Sequence, residues 1–360
     1  MIESIYLKNF TVFNELEMKL SPKINVILGE NGTGKSHILK AIYAMSSEYP
    51  NSSPHEPVNP DEVRNWMTNK FVQVFKPLES KLGKLRKDGV TESAYVRISY
   101  PNNREFDVQF HANTKTIQIP KEKEGVPIYS NQQEMPNPVF IPAKEILSIM
   151  LGLRSIIQKY ETSFDETYEN LINLLELPNR KSDSISEKVK WSINTMKDKL
   201  GGEFVFMGGG FVKFKATDNS EYSVNVMAEG FRKLGTLHRL LETGGVSPGN
   251  GAPLLWDEPD ANLNPLLIKL LVQILFELTR EGQQIIIATH YFNLVKWIDI
   301  LNDKSLGDHV TYHLLTRNEL GQVEVNSTEN YAELENNPIN DAFSDITKGQ
   351  AQKMLNELKK

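Results

Sequence analysis

The residues with the clearest chemistry lie in a glycine-rich segment at 29–36, which reads Gly-Glu-Asn-Gly-Thr-Gly-Lys-Ser. This spacing is typical of a phosphate-binding loop, in which glycines let backbone N–H groups converge on phosphates. Lys35 supplies a positive charge for the β- and γ-phosphates, and Ser36 supplies a hydroxyl for Mg²⁺. We therefore predict that a nucleoside triphosphate binds at Gly29, Glu30, Asn31, Gly32, Thr33, Gly34, Lys35, Ser36 and His37.

A second group of polar residues follows two later apolar runs. Asp257 and Glu258 come directly after the run at 253–256, and His290 follows a run that ends at Ala288. Asp257 could hold Mg²⁺, directly or through water, and Glu258 could polarise an attacking water. His290 could reach a γ-phosphate. An acidic turn and a structural histidine are the alternative interpretations of these positions.

Strands and helices must position these groups. The apolar run at 24–28 before the loop predicts a strand, and residues 37–45 after it have helix-forming composition. Asp257 and His290 also end predicted strands, and each strand is followed by a helical pattern. This alternation of strands and helices predicts an α/β fold.

The rest of the chain divides into β-rich and helical stretches. Basic residues over 61–88 could mark a DNA- or partner-binding arm, although a solvated helix face explains them as well. The predicted elements are strands within 2–20, a helix over 61–87 with a kink or break at Pro77, an antiparallel flap with strands at 93–100, 105–111 and 114–119, a strand at 139–141, helices within 145–200, a hairpin turning at Gly208–Gly210, a hairpin at 310–326 and a helical tail.

Composition limits the classes of protein. The 360 residues carry a net charge of −6, which argues against a generally basic nucleic-acid binder. There are no cysteines, so disulfides and thiolate metal sites are excluded. His238, His309 and His313 lack paired ligands at metal spacing, so no zinc site is expected. No apolar run reaches 18 residues, and we expect a cytoplasmic protein without a signal peptide or membrane contact.

Taken together, the motifs resemble those of ABC-class ATPases. The loop at 29–36, Leu-Leu-Trp-Asp-Glu-Pro at 254–259, Ala-Asn-Leu-Asn-Pro at 261–265 and Ala-Thr-His at 288–290 are similar to the family's Walker A, Walker B, D-loop and H-loop. The opening Ile-Tyr-Leu-Lys-Asn-Phe at 5–10 is similar to the RecF/SMC branch. Within that branch the chain most resembles the OLD-like (overcoming lysogenization defect) ATPases of bacterial anti-phage systems. The resemblance implies a P-loop NTPase fold of ABC type, with a mixed core sheet, an antiparallel β flap and an inserted helical lobe.

The family's signature, a Ser-x-Gly sequence at a helix N-terminus, has a candidate at Ala228–Lys233. Ala228 replaces the serine, while Gly230 and the first helical N–H groups can still meet a phosphate. The resemblance implies that this segment contacts the γ-phosphate bound by an opposite subunit. A plain helix start is the alternative interpretation. The residues expected to act in this way are Ala228, Glu229, Gly230 and, in the D-loop, Asn262.

The family usually places a glutamine after the strand at 139–141, and this chain departs from that pattern. Lys144 and Glu145 stand there instead, and Gln132 and Gln133 lie upstream. We assign the glutamine's role to no residue. The expected division of the chain is 1–145 for the N-terminal part of the ATPase core, 146–215 for a helical lobe and hairpin, 216–330 for the C-terminal part of the core, and 331–360 for a polar helical tail.

The resemblance implies an ATPase that forms a homodimer, or a higher homo-oligomer, around ATP and Mg²⁺. Because Ala228 replaces the serine and the glutamine is missing, we expect hydrolysis to be slow. In OLD-like systems such an ATPase senses invasion and controls an effector. Only a short segment follows His290, so we expect the effector, a nuclease or toxin, to be a separate protein. A RecF-like DNA-repair or chromosome-maintenance clamp that binds duplex DNA is the main alternative. A transporter subunit and a GTPase agree less well with the motifs.

Overall fold

A computed structural model describes residues 1–50, 59–119, 137–334 and 337–358 of the chain. The strands are β1 (Ser4–Phe10), β2 (Phe13–Lys19), β3 (Ile24–Gly29), β4 (Ala94–Tyr100), β5 (Arg104–Phe110), β6 (Val139–Ile141), β7 (Gly202–Phe206), β8 (Val212–Ala216), β9 (Glu221–Ser223), β10 (Leu254–Asp257), β11 (Ile285–Thr289), β12 (Val310–Arg317) and β13 (Val323–Thr328). The α-helices are α1 (Lys35–Ser46), α2 (Pro60–Phe75), α3 (Leu153–Lys159), α4 (Glu166–Leu175), α5 (Glu187–Leu200), α6 (Glu229–Thr243), α7 (Pro265–Arg280), α8 (Phe292–Leu301) and α9 (Pro338–Leu358).

The core is a six-stranded sheet in the order β13-β12-β3-β11-β10-β6. All neighbours are parallel except β12 and β13, which form the hairpin expected near the end of the chain. Along β3, Ile24, Val26 and Leu28 enter one buried apolar cluster and Ile27 enters the other. Both faces of the sheet are therefore covered, which explains the continuous apolar runs of its strands. The predicted α/β fold of ABC type with a mixed sheet is confirmed.

A second sheet packs over α1 and α2. It is antiparallel and has the order β2-β1-β4-β5, so the flap strands extend the sheet that begins the chain. The third strand predicted for the flap, at 114–119, is wrong. That segment contributes only a single bridge, between Gln109 and Gln118.

The helix predicted over 61–87 ends at Phe75. Lys76 takes a left-handed conformation and Pro77 follows, so the break predicted at Pro77 is confirmed, because proline cannot continue a helix. Lys70 is buried and its Nζ lies 2.6 Å from Glu166 Oε1, so it is not part of a solvated face. The prediction that the basic residues over 61–88 share one face of a single helix is therefore wrong.

The other face of the core sheet is covered by α4 to α8. Beside α6, the strands β7, β8 and β9 form a small antiparallel sheet. Its first hairpin turns through Gly208–Gly210, as predicted. The tail helix α9 contacts α8 through Phe343, whose ring stacks on Phe292 at 4.1 Å. None of the described helices is long and apolar enough to cross a lipid bilayer.

Candidate nucleotide site

The glycine-rich loop joins β3 to α1 at the carboxyl edge of the core sheet. An added Cβ at Gly34 would lie 2.5 Å from Phe13 Cζ, and one at Gly29 would lie 2.6 Å from the Leu315 carbonyl oxygen. Gly34 also has a φ of 94°, which L side chains rarely adopt. Neighbouring strands therefore crowd the loop so closely that only glycine fits at these two positions.

Lys35 begins α1 and is 6% exposed. Its Nζ donates to the carbonyls of Gly29 at 2.8 Å and Glu30 at 2.9 Å. Burial lowers the pKa of Lys35, and the nearby carboxylates, led by Glu258 and then Asp257, oppose this shift. The carboxylates at the end of β10 therefore help to keep this buried ammonium charged.

The other loop residues differ in exposure. Thr33 is buried and its hydroxyl donates to the Glu30 carbonyl at 2.9 Å, while the side chains of Glu30 and Asn31 are exposed. The ring of His37 lies 6.1 Å from that of Phe75, and its Nδ1 has no hydrogen-bond partner among the described residues. The phosphate loop is therefore accessible to solvent at Glu30 and Asn31.

Asp257 ends β10 and is buried. Burial raises the pKa of its carboxyl group, and a hydrogen bond with the Ser36 hydroxyl opposes that rise. Asp257 Oδ1 has no hydrogen-bond partner among the described residues. A buried, unpaired carboxylate oxygen beside a hydroxyl suits a hard cation that binds oxygen ligands, so these two residues fit Mg²⁺.

Glu258 and His290 lie together on the sheet edge. His290 Nδ1 is 3.2 Å from Glu258 Oε1, and both side chains are partly exposed. Glu258 has a φ of 48°, which is uncommon for a residue other than glycine, asparagine or aspartate. Its N–H donates to the Ala288 carbonyl at 2.8 Å. Such backbone strain concentrates at functional sites, where the surrounding structure maintains it.

Two groups that support this edge were not placed here from the sequence, although Lys233 ends the candidate signature Ala228–Lys233. Asp260 is buried and accepts a hydrogen bond from Thr289 Oγ1 at 2.6 Å. Lys233 is buried as well, and its Nζ donates to the Glu258 carbonyl at 2.9 Å. Lys233 interrupts the apolar side of α6, and this was the sequence signal that could have revealed it.

Arg317 was also missed. At the end of β12 it donates to the carbonyl of Gly32 at 2.8 Å and to that of Gly321 at 2.9 Å. It therefore supports the outer side of the phosphate loop. The sequence carries no signal for this contact, because its acceptor is a backbone carbonyl that lies far away in the chain.

The N-terminus of α6 lies against the D-loop. An added Cβ at Gly230 would lie 2.8 Å from the Asn262 carbonyl oxygen, and Asn262 itself has a φ of 61°. Ala228 is exposed and has no side-chain acceptor to cap the helix. The first N–H groups of α6, near Glu229, are consequently open to an external acceptor.

The segment after β6 is engaged elsewhere. Glu145 is buried, and its Oε2 accepts from Arg232 Nε at 2.7 Å. Lys144 Nζ lies 5.2 Å from the centre of the Phe164 ring. Gln132 and Gln133 lie outside the described residues. Over the described ranges no group of three or more His, Asp or Glu side chains could hold a metal ion by itself.

The fold and the site define an ABC-class P-loop ATPase domain with RecF and SMC-head relatives. The chain belongs to the family described as "AAA domain, putative AbiEii toxin, Type IV TA system", whose model matches residues 24–295.

Two curated relatives and one solved structure illustrate these similarities. Over 98 residues the chain is 40% identical to the DNA replication and repair protein RecF of Bacillus cereus (strain G9842). The aligned segment covers 27% of this chain and 23% of that protein. Over 83 residues it is 32% identical to the same protein of Oenococcus oeni (strain ATCC BAA-331 / PSU-1), covering 23% and 21%. The chain therefore matches less than a quarter of these relatives' length.

The solved structure is described as an SmcHead bound to the C-winged helix domain of ScpA. It superposes with a TM-score of 0.56 at 16% identity, over 92% of this chain and 98% of that one. At this identity the similarity shows the fold alone.

Proposed function

We propose that this chain is a slow ATP-driven switch that works as a dimer closed around ATP. ATP binds along residues 29–37, with Lys35 against the β- and γ-phosphates. Ser36 and Asp257 hold Mg²⁺, which supplies positive charge beside the phosphates when it is bound. Glu258 accepts a proton from the attacking water, and His290 orients that carboxylate.

The exposed surface at the start of α6 carries the dimer proposal. Val226, just before the helix, is 71% exposed, and Leu266, just after the D-loop, is 84% exposed. Between them, Gly230 packs on Asn262. Exposed apolar side chains around a helix N-terminus suit contact with a second copy whose bound triphosphate meets the free N–H groups. Ala228, Glu229, Gly230 and Asn262 of one copy thus face the ATP of the other.

We further propose that closing of this dimer controls a separate effector, a nuclease or toxin, in OLD-like anti-phage defence. The motifs at 254–265 and 288–290 support the ATPase part of this role, and the anti-phage part rests on the chain's resemblance to OLD-like ATPases. The description of the matched family, which names a putative toxin of a Type IV TA system, supports a role as one component of a system.

Replacing Glu258 by glutamine tests the switch. Glu258→Gln should lower ATP hydrolysis on the order of 100- to 10,000-fold, because it removes the general base while leaving the phosphate contacts intact. The variant should elute as a dimer on size-exclusion chromatography with Mg²⁺ and ATP, and as a monomer without them. Glu187→Gln, at the exposed start of α5, is the matched control. Elution of Glu258→Gln as an unchanged monomer with ATP would contradict the dimer.

A RecF-like DNA-repair or chromosome-maintenance clamp, with duplex DNA as its partner, is the second candidate. The 40% identity to RecF over 98 residues favours it. Titrating labelled duplex DNA at several salt concentrations, with and without ATP, separates the two functions. Salt-sensitive, ATP-dependent binding supports the clamp, because each neutralised phosphate releases counterions.

A further inference from the structure

Lys233 is a buried cation directly behind the proposed catalytic glutamate. Its side chain is 3% exposed, and its Nζ donates to the Glu258 carbonyl at 2.9 Å. Burial lowers the pKa of Lys233, and the neighbouring carboxylates, first that of Asp260 and then that of Glu229, oppose the shift. A buried ammonium needs such partners, because an unpaired charge in the interior is strongly destabilising.

The contact controls the backbone of Glu258. Glu258 has a φ of 48°. Its backbone N–H and its backbone C=O are both hydrogen-bonded, each to a different element. Its N–H donates to Ala288 on β11, and its C=O accepts from Lys233 on α6. The Cα atom of Glu258 lies between these two hydrogen-bonded groups, so the two bonds fix the direction in which its side chain starts. They therefore help to place the Glu258 carboxylate, whose Oε1 lies 3.2 Å from His290 Nδ1.

The same helix turn connects α6 to other parts of the site. Lys233 lies less than one turn after Gly230, which packs on the D-loop at Asn262. Arg232, one residue earlier, pairs with buried Glu145 beyond β6 at 2.7 Å. A displacement of the first turn of α6 would therefore be transmitted to Glu258 within the same subunit.

We propose that Lys233 is a positioning residue through which α6 links the two ATP sites of the dimer. When the start of α6 engages the triphosphate bound by the partner subunit, Lys233 fixes Glu258 of its own subunit in the working orientation. This proposal rests on the ATP-dependent dimer proposed above. It predicts that ATP bound at one site raises hydrolysis at the other.

Replacing Lys233 by methionine tests the link, because methionine keeps the apolar stem and removes the donor and the charge. The affinity for a fluorescent ATP analogue should stay within about threefold of wild type, since the phosphate loop is untouched. We expect kcat to fall about 10- to 100-fold at nearly constant KM, as a misplaced general base would produce. The Hill coefficient for ATP should fall towards 1 from a higher value in the wild type.

Two further variants complete the test. Lys233→Gln keeps an N–H donor and should lose less of kcat than Lys233→Met, and this variant still decides the matter if the methionine variant does not fold. Lys199→Met, on the exposed end of α5, is the matched control and should behave as wild type. A kcat and Hill coefficient unchanged in both Lys233 variants would overturn the link, as would loss of nucleotide affinity equal to the loss of kcat.

Size-exclusion chromatography separates failure of this link from failure of the proposed dimer. If Glu258→Gln forms the ATP-dependent dimer but the Lys233 variants hydrolyse ATP normally, the link alone is wrong. If Glu258→Gln stays monomeric with ATP, the dimer is wrong and the link between two sites is overturned with it.

Discussion

The two edges of the six-stranded core sheet differ in how their buried polar groups are paired. At the amino edge, Gln284 accepts from the Ile2 N–H at 2.8 Å and donates to the carbonyls of Ile2 and Ser21 at 2.8 and 2.9 Å. Beside it, Asn25 bonds to the N–H and the carbonyl of Ser21. These groups are uncharged, and together they tie the first residues of the chain to β3 and β11.

The carboxyl edge contains the opposite arrangement. Burial raises the pKa of Asp257 and lowers that of Lys35, so the environment disfavours both charges. One Asp257 oxygen lacks a partner among the described residues, and Glu258 has a left-handed backbone. Fully paired groups, including the ion pair of Arg280 with buried Asp308 before β12, therefore mark the edge that holds the fold together. The unpaired carboxylate oxygen of Asp257, in an environment that disfavours charge, marks the edge that a ligand completes.

The largest expected effect of a substitution is at Lys35, on the carboxyl edge. Lys35→Met should weaken ATP binding on the order of 1000-fold, roughly 4 kcal/mol, because it removes charge-assisted hydrogen bonds to the phosphates. Isothermal titration calorimetry with ATP and Mg²⁺ measures the change. Lys19→Met, on the exposed side of β2, is the control and should bind as wild type. An affinity of Lys35→Met close to that of the control would remove the phosphate loop from the site.

A smaller effect, on stability instead of binding, is expected at the amino edge. Gln284→Ala leaves the N–H and C=O of Ile2 without this partner, while the Ser21 carbonyl keeps its bond from Asn25. The free energy of unfolding in urea should fall by about 2 kcal/mol or more, because each of the two buried unpaired groups costs about 1 kcal/mol or more. ATP affinity of the folded protein should not change.

Gln350→Ala in the exposed part of α9 is the matched control for that change. Its unfolding midpoint should equal that of the wild type. If Gln284→Ala instead weakened ATP binding without destabilising the fold, the division of roles between the two edges would be wrong.

The smallest effect concerns His313 on β12, which contacts Ser327 Oγ at 2.8 Å and Asn25 Oδ1 at 3.2 Å. Burial lowers the pKa of His313 to about 4 from an ordinary 6.5. The unfolded chain therefore binds this proton at a higher pH, and the stability is complete above pH 6.5 and is lost as the pH falls towards 4. Between pH 7 and pH 5 this one group should cost the wild type about 2 kcal/mol.

His313→Gln should remove that part of the acid loss. Urea unfolding at the two pH values measures it, with the exposed His111→Gln as control. Equal acid losses in wild type and His313→Gln would show that this buried histidine is not the group that titrates. The acids at the carboxyl edge have the opposite sign, because a raised pKa for Asp257 and Asp260 favours the folded state only while the pH is low.

The sequence was most informative where chemistry depends on local spacing. The phosphate loop, Asp257, Glu258 and His290 were each placed from a short run of residues, because strand ends and glycine-rich turns are local features. The helix that ends at Phe75 was over-extended by the same local reasoning. Its apolar spacing continues beyond Pro77, while the backbone does not.

The burial of Lys233 had a sequence signal on the apolar side of α6, but the contact that it makes, like the contact of Arg317, could not be predicted, for a different reason. Each joins segments far apart in the chain, and neither partner atom is a side chain: Lys233 bonds to the Glu258 carbonyl and Arg317 to that of Gly32. A backbone acceptor leaves no trace in residue types. The left-handed conformation of Glu258 is equally invisible, because glutamate does not favour it.

The order of strands in the core sheet also determines when the nucleotide site can form during synthesis. β3 carries the phosphate loop, yet its neighbours are β11 and β12, which end at Thr289 and Arg317. At about 5–20 residues per second, a ribosome needs roughly 15 to 60 s after completing β3 to deliver β12. The antiparallel sheet of β1, β2, β4 and β5 can pair long before that. A nascent chain therefore carries its phosphate-binding sequence for most of its synthesis without a site that can bind ATP, and nucleotide can stabilise only the last stage of folding.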